Sequence, residues 1–381
     1  MEEVKGFRDI TGDEARKREL VKNILVKNFN LFGFKPAETP VIEYENFVKS
    51  GNAQDEAISD VYKLTDKGQR KLALRYEFTF QLKRLAENKK LPFKRYQVGE
   101  VFRDEPISEN RFRQITQCDI DIVGSSINNE PEILAAAKSV FDELKIKYTI
   151  FVNNRRLLNE ILEENKIKNK EQVIKEIDKM DKLSEKEVFN NLKKYDAEKL
   201  VNIFKKPESY FKKYNSYREI EDLAKYCRYY GVKFKFMPGL ARGLSYYNGN
   251  VLEIKSSGMK ETIAAGGSYL VNGIQSFGIA FGLDRIAKLA KLYAKEKSVL
   301  VISLGKDKEA IALANKLRSG GVNTSIMFGK ITKALDYANS YDIKYVIFVG
   351  EEEIKKKKFK LKDMKTGKEE FLSFDKLLKK L

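Results

Sequence analysis

The chain has 381 residues, 42% hydrophobic and 11% aromatic, which excludes a largely disordered protein and leaves room for more than one core. It contains two cysteines, Cys118 and Cys227, and no histidine, so cysteine/histidine zinc sites and every nucleophile that depends on an imidazole base are excluded. Lys and Arg number 73 against 55 Asp and Glu, a formal charge of +18 that suits a polyanionic partner or simply a well-solvated lysine-rich surface.

In chain order, Thr11-Gly12-Asp13-Glu14 has the spacing of a capping box. Leu20, Val21, Ile24, Leu25, Phe29 and Phe32 then recur at helical intervals as far as Gly33. Pro36 and Pro40 exclude a helix over 34–43 and restrict any strand there to an edge or an interface. Residues 60–124 alternate as antiparallel strands do, near 61–64, 71–75, 95–102 and 115–123, with a helix near 78–88 between them. From Asn153 to Tyr230 the pattern is helical and lysine-rich, which predicts an inserted helical module. Glycine-punctuated strands return over 240–283. After Val299-Leu300-Val301-Ile302 the period reads βαβαβ with a parallel sheet, without a GxGxxG or Walker loop, so a binding module is expected there.

Charge follows this division. Residues 1–150 carry 26 basic and 25 acidic side chains and 238–294 carry 6 and 3, whereas 151–237 carry 21 and 15 and 295–381 carry 20 and 12. A near-neutral body with two basic attachments fits nucleic acid, because phosphate neutralisation needs clustered Lys and Arg. No run of 18 apolar residues occurs and the N-terminus lacks the layout of a signal peptide, so a cytoplasmic protein with no membrane segment is expected.

Strand alternation puts Arg95, Gln97 and Arg103 on one face and Gln117, Asp119 and Asp121 on one face of the next strand. Two readings stand at this point: ion pairs on a solvent face, or a site. The connection 104–113 is longer than a hairpin needs and carries Arg111 and Arg113; with Arg103 at the strand end, these guanidiniums suit a triphosphate and a nucleic-acid end. Arg285 falls in the first turn of a helix entered from the strand ending at Gly282, where a cation opposes the macrodipole unless an anion sits beside it. Arg242 with Tyr246 and Tyr247 lines a small-molecule pocket or is a surface arginine beside core tyrosines; spacing does not separate the two.

Together these pieces resemble the histidyl-tRNA synthetases, class II aminoacyl-tRNA synthetases, over nearly the whole chain. Gly33-Phe34 through Pro40 and Glu43 is similar to motif 1, Phe102-Arg103-Asp104-Glu105 with Arg111-Phe112-Arg113 and Gln117 to motif 2, and Gly282-Leu283-Asp284-Arg285 to motif 3. Arg242-Gly243-Leu244-Ser245-Tyr246-Tyr247 resembles the family's histidine signature, and Leu74-Arg75-Tyr76-Glu77-Phe78-Thr79 the segment that contacts the amino acid. Ser245 stands where the family carries an aspartate, and Gly266-Gly267-Ser268-Tyr269 lacks the arginine expected after the glycine pair.

The resemblance implies an α+β fold with a catalytic core over 1–150 and 238–294, a helical insertion over 151–237 and an anticodon-binding domain over 295–381. It implies an ATP-dependent ligase that forms histidyl-adenylate and transfers histidine to tRNA(His), with Mg2+ accompanying ATP, as a homodimer. Arg103, Glu105, Arg111, Arg113 and Arg285 would meet ATP, and Arg103 and Arg242 would serve the reacting groups. Glu77, Thr79, Gln117, Asp121, Arg242, Tyr246 and Tyr247 would hold L-histidine. No metal-ligating residue is expected. The alternative implied by the departures is a non-catalytic paralogue acting as a tRNA sensor or regulatory subunit, although such subunits typically lack the anticodon domain. Attack of a carboxylate on the ATP α-phosphate needs positioning and charge stabilisation rather than a protein base, so a chain without histidine is compatible with the reaction.

Overall fold

In the computed structural model the described residues are 2–49, 60–180, 183–242, 246–292 and 298–381. They separate into two compact units, Met1–Tyr293 and Ala294–Leu381.

The first unit is built on an eight-stranded sheet. From edge to edge its strands are Lys35–Pro36, Phe93–Phe102, Gln114–Val123, Ile274–Gly282, Ala264–Val271, Tyr247–Ser256, Tyr148–Asn154 and Lys235–Phe236. Every internal pairing is antiparallel; only the two-residue edge strands pair in parallel, Lys35 opposite Arg95 and Phe151 opposite Lys235. Pro36 therefore sits where a missing N–H costs least, at an edge. One face of this sheet is apolar. Cys118, Ile120, Ile122, Phe277, Ile279 and Phe281 point into a core completed by Val21, Leu25 and Phe29 of helix Gly12–Leu31 and by helices Glu130–Glu143 and Leu283–Leu289. The first helix starts as the sequence predicts, but the Thr11 side chain makes no cap hydrogen bond, so the capping box is not formed.

The other face is polar and, contrary to a solvent-face reading, closed. Arg95, Gln97, Gln117, Asp119 and Asp121 are at most 7% exposed. The cover comes from the segment around helix Thr79–Leu85, from Tyr246, Tyr247 and Tyr269, and from Leu82, Leu240, Val251 and Val271, which form a second, smaller apolar cluster. Beside it a three-stranded antiparallel sheet orders Ile42–Tyr44, Lys71–Leu74 and Lys63–Thr65.

The helical stretch after Asn154 has its own core of Leu157, Leu158, Ile161, Leu162, Val173, Ile174, Val188, Leu192 and Phe211. Its last helix, Tyr217–Tyr229, divides its loyalty: Tyr217 and Ile220 face that core, whereas Leu223 and Cys227 pack into the core of the large sheet.

The second unit begins as the period predicts, with strand Ser298–Ser303, helix Asp307–Ser319, strand Asn323–Phe328, helix Ile331–Ser340 and strand Tyr345–Val349. Those three strands are parallel, with Ser298–Ser303 central. The sheet as a whole is mixed, a correction to the parallel reading, because Phe359–Asp363 and Glu369–Leu372 add two antiparallel strands at one edge. Short charged strands such as Lys360–Lys362 against Glu369 carry little hydrophobic alternation, which is why they escape a pattern search.

Candidate active site

Three chain segments bring arginines to one place. Arg103 ends the long hairpin strand, its guanidinium lying over the Tyr76 ring at 4.5 Å, and bonds the Tyr76 carbonyl at 3.3 Å and Gln117 Oε1 at 3.2 Å. Arg111 comes from the hairpin connection, which closes on itself through an isolated bridge between Ser108 and Arg111. Arg285 projects from the first turn of helix Leu283–Leu289 and donates to the Thr262 carbonyl at 2.8 Å and the Asn110 carbonyl at 3.4 Å. Burial, and then the repulsion of Arg103 and Arg111, lower the pKa of Arg285, with Glu261 acting the other way. Like charges gathered at a helix N-terminus and partly withdrawn from water are stabilised by an anion, and planar guanidiniums suit phosphate. A Cβ on Gly282 would find no atom closer than 3.8 Å, so the approach to that N-terminus is open.

Arg113 and Glu105 are engaged differently. Arg113 pairs with Asp104 at 2.9 Å and donates to the Glu105 carbonyl at 3.3 Å. The buried Glu105 carboxylate accepts from Arg111 and, at 3.3 Å, from the Tyr76 hydroxyl. The returning arm of the connection is held by the N-terminus: the Gly6 carbonyl accepts the Arg113 N–H at 3.0 Å, and Arg8 lies 4.6 Å above the Phe112 ring. That strap has no local sequence signal, since it joins residues about a hundred positions apart.

Next to the arginines, on the covered polar face, lies a buried cluster of paired aromatics and carboxylates. Tyr246 packs on Tyr247 at 4.8 Å and on Tyr269 at 5.7 Å, and its hydroxyl donates to Glu77 at 3.3 Å. Thr79 opens the helix that follows Glu77 and bonds Tyr246. Gln117 donates to both oxygens of Asp119, at 2.9 and 3.0 Å. Asp121 pairs with Arg95 at 2.8 Å and accepts from the Tyr269 hydroxyl. Burial raises the pKa of both aspartates, that of Asp119 to about 8, while Arg95 pulls both down and Tyr269 lowers Asp121 further. Gly278 is fixed by this packing: a Cβ there would lie 2.0 Å from Asp121 Oδ1.

Arg242 adopts a left-handed φ of 55° and donates to Glu253 at 2.7 Å. Burial opposes the ionisation of Glu253, but Arg242 and Lys255 outweigh it and hold the carboxyl below its ordinary pKa. The buried Nε of Arg242 has no hydrogen-bond partner among the described residues. Gly243, Leu244 and Ser245 of the same signature lie outside the described residues.

The structure thus brings Glu77, Thr79, Gln117, Asp121, Tyr246, Tyr247, Arg103, Arg111, Arg242 and Arg285 to one side of the sheet. Sequence reasoning missed Tyr269 and Glu253. Tyr269 was within reach, since it ends the glycine-paired segment Gly266–Tyr269; Glu253 needed the partner that only the fold supplies.

An antiparallel sheet that carries a motif 2 hairpin and a motif 3 helix, with arginines converging beside a closed polar cluster, is the catalytic domain of a class II aminoacyl-tRNA synthetase. The comparisons are specific within that class. A family profile described as histidyl-tRNA synthetase matches residues 6–286, and one described as anticodon binding domain matches 298–381. The histidine–tRNA ligase 2 of Shouchella clausii is 35% identical, covering 97% of this chain and 98% of its own length. A histidyl-tRNA synthetase from Nostoc superposes with a TM-score of 0.84 at 24% identity, over 100% of this chain and 99% of that one. A Bacillus halodurans structure described as an ATP phosphoribosyltransferase regulatory subunit/histidyl-tRNA synthetase superposes with 0.77 at 19% identity, over 89% and 96%. The chain belongs to the histidyl-tRNA synthetase family, and it is an ATP-dependent ligase that activates histidine and charges tRNA.

Proposed function

We propose the following division of labour within that reaction. Arg103 meets the ATP α-phosphate, Arg285 the γ-phosphate, and Arg111 and Arg113 the nucleotide and the tRNA acceptor end. Arg242 bridges the histidine carboxylate and the α-phosphate. Glu77, Thr79 and Gln117 hold the α-amino and carboxylate groups, and Asp121, Tyr246 and Tyr247 surround the imidazole. The observation that carries this reading is the convergence of Arg103, Arg111 and Arg285 from three segments, whose mutual repulsion awaits a polyanion.

Chemistry then follows from charge. As the histidine carboxylate attacks the α-phosphate, negative charge grows on phosphate oxygens that face Arg103 and Arg242, and no proton has to be removed by the protein. The Nε of Arg242, without a hydrogen-bond partner among the described residues, supplies a donor in the place where that charge develops. Arg113 and Glu105 meet ATP only if their present partners yield, so Glu105 serves chiefly to aim Arg111.

Mg2+ keeps several of its own waters and binds substrate phosphates more readily than protein cages, so it would be carried in by ATP and would supply neutralisation of the pyrophosphate charge. Glu261, which faces Arg285 and accepts from Asn110 at 3.3 Å, is the carboxylate that fits a position at its edge.

The motif 1 region supplies the surface for a homodimer: the Lys35–Pro36 edge strand adjoins Val41, Ile42 and Tyr44, each at least 41% exposed. The stretch 151–237 acts as an insertion beside the tRNA, and the second unit reads the anticodon. Such an enzyme works in the cytoplasm; no helix among the described residues is long and apolar enough to cross a membrane.

Exchange of labelled pyrophosphate into ATP, run with each of the twenty amino acids in turn, tests the reading. Exchange with histidine alone is expected. Folded protein that exchanges with none would turn the assignment toward the non-catalytic paralogue.

A further inference from the structure

Arg95 is the bulkiest side chain wholly buried among the described residues, at 0% exposed. It stands opposite Asp121 in the long hairpin, with Nη2 2.8 Å from the Asp121 carboxylate. The same Nη2 donates to the Phe78 carbonyl at 3.2 Å. Phe78 separates Glu77 from Thr79, so a single guanidinium touches both the strand beneath the imidazole position and the segment assigned to the α-amino group. Its Nε and Nη1 find no hydrogen-bond partner among the described residues, and neither does Oε1 of the neighbouring Gln97.

Such a group is costly to bury, so the fold must gain something from its charge. Two aspartates, Asp119 and Asp121, lie on the same closed face, and one cation balances one anion. Arg95 donates no hydrogen bond to Asp119, which accepts from Gln117 instead. Asp121 is fixed on three sides, by Arg95, by the Tyr269 hydroxyl and by the bare backbone of Gly278. A carboxyl group so held accepts an imidazole N–H in one orientation, which a mobile one would not do.

We propose that Arg95 is a positioning residue that sets histidine specificity from beneath the pocket, orienting Asp121 and locking it to the Glu77–Thr79 segment. Arg95 touches neither substrate, and its effect is confined to the amino-acid side of the site. The inference rests on the assignment of Asp121 to the imidazole given above.

Pyrophosphate exchange on the full chain, with histidine and ATP varied separately, tests it through Arg95→Met, Arg95→Lys and Asp121→Asn. Removing one member of a buried ion pair leaves the other uncompensated, so Arg95→Met is expected to raise the KM for histidine about 30-fold while moving that for ATP less than about threefold. Arg95→Lys keeps the charge but loses the fork, and should restore the histidine KM to within about fivefold of the parent. If the methionine variant does not fold, the lysine variant alone is expected to show a rise of about threefold or more confined to histidine. Histidine KM values within about twofold of the parent in every folded Arg95 variant, with Asp121→Asn impaired, would overturn the proposal; so would equal rises in both KM values. A histidine KM unaffected by Asp121→Asn would instead overturn the assignment of Asp121.

Discussion

Arg18 and Asp284, 266 positions apart, form an ion pair that joins the first helix to the helix carrying Arg285. Arg18 also donates to the Thr116 hydroxyl at 2.7 Å, and the Thr116 N–H donates to Asp284 at 2.9 Å, so the first helix, the motif 2 hairpin and the motif 3 helix share one polar knot. Both side chains of the pair are about 15% exposed, shielded enough for the geometry to matter. Arg18→Gln should therefore loosen the seat of Arg285 and raise the KM for ATP roughly tenfold with little change in that for histidine. Steady-state exchange kinetics with each substrate varied will decide; a selective rise for histidine would show that the knot does not serve the nucleotide.

The role proposed for Arg242 predicts that its guanidinium serves the transition state and not tRNA binding. Its backbone is left-handed, φ 55°, so an alanine there would add strain to the loss of charge, whereas asparagine tolerates that conformation. Arg242→Asn is expected to lower the rate of histidyl-adenylate formation about a thousandfold, as the loss of a donor from a preorganised charge-stabilising site does. Single-turnover adenylate formation and filter binding of tRNA measure the two quantities separately. A variant that binds tRNA poorly but forms adenylate at the parent rate would remove Arg242 from the reaction.

Glu130 lies behind the same sheet, buried, and accepts from Asn250 at 2.9 Å and Ser268 at 3.1 Å. Burial pushes its carboxyl up to about 7, against the pull of those two hydrogen bonds. A carboxyl whose folded pKa exceeds its unfolded value contributes stability in full below about pH 4.5 and loses that contribution as pH rises through about 7. Glu130→Gln abolishes the titration. Relative to the parent it should gain about 2 kcal/mol between pH 5 and pH 8, whatever the constant offset from exchanging an oxygen for an amide. Urea unfolding at several pH values checks this, and parallel profiles for the two proteins would contradict it.

How much of this was legible depended on whether the signal was local. Arg103 and Arg285 were legible because each sits within a short run whose spacing already places it on a strand end or a helix start, whereas the Glu77–Thr79 segment was named only through the resemblance. The faces of the 95–103 and 117–121 strands were also readable, since alternation fixes which residues share a side. Alternation does not say what covers a side. Arg95 and Asp121 look like a surface ion pair until Tyr246, Tyr247 and Tyr269 close over them from positions 125 to 174 residues further along the chain. The polar network joining Asn154, Asn250, Glu130 and Ser268 was invisible for the same reason. Each of its members is an ordinary polar residue in its own segment and becomes exceptional only by meeting the others in the dark. Helix Glu130–Glu143 and strand Tyr148–Asn154, both missed, are the elements that hold one side of that network.

The second unit offers a direct test of the basic-attachment argument. Lys355, Lys357 and Lys358 are exposed at and just beyond the end of helix Glu351–Lys356, whereas Lys356 is occupied by Glu352 at 2.6 Å and lies over the Phe371 ring. Exposed lysines with no structural task stabilise RNA by releasing its counterions, each contributing close to one unit to the dependence of log affinity on log salt. Changing Lys355, Lys357 and Lys358 together to Gln should weaken tRNA binding at low salt and flatten that slope by about two to three. Pyrophosphate exchange, which needs no tRNA, should remain at the parent level, so a loss there would point to damage in the fold. An unchanged slope with unchanged exchange would mean that this end of the domain faces away from the RNA, and that the +18 charge acts elsewhere on the chain.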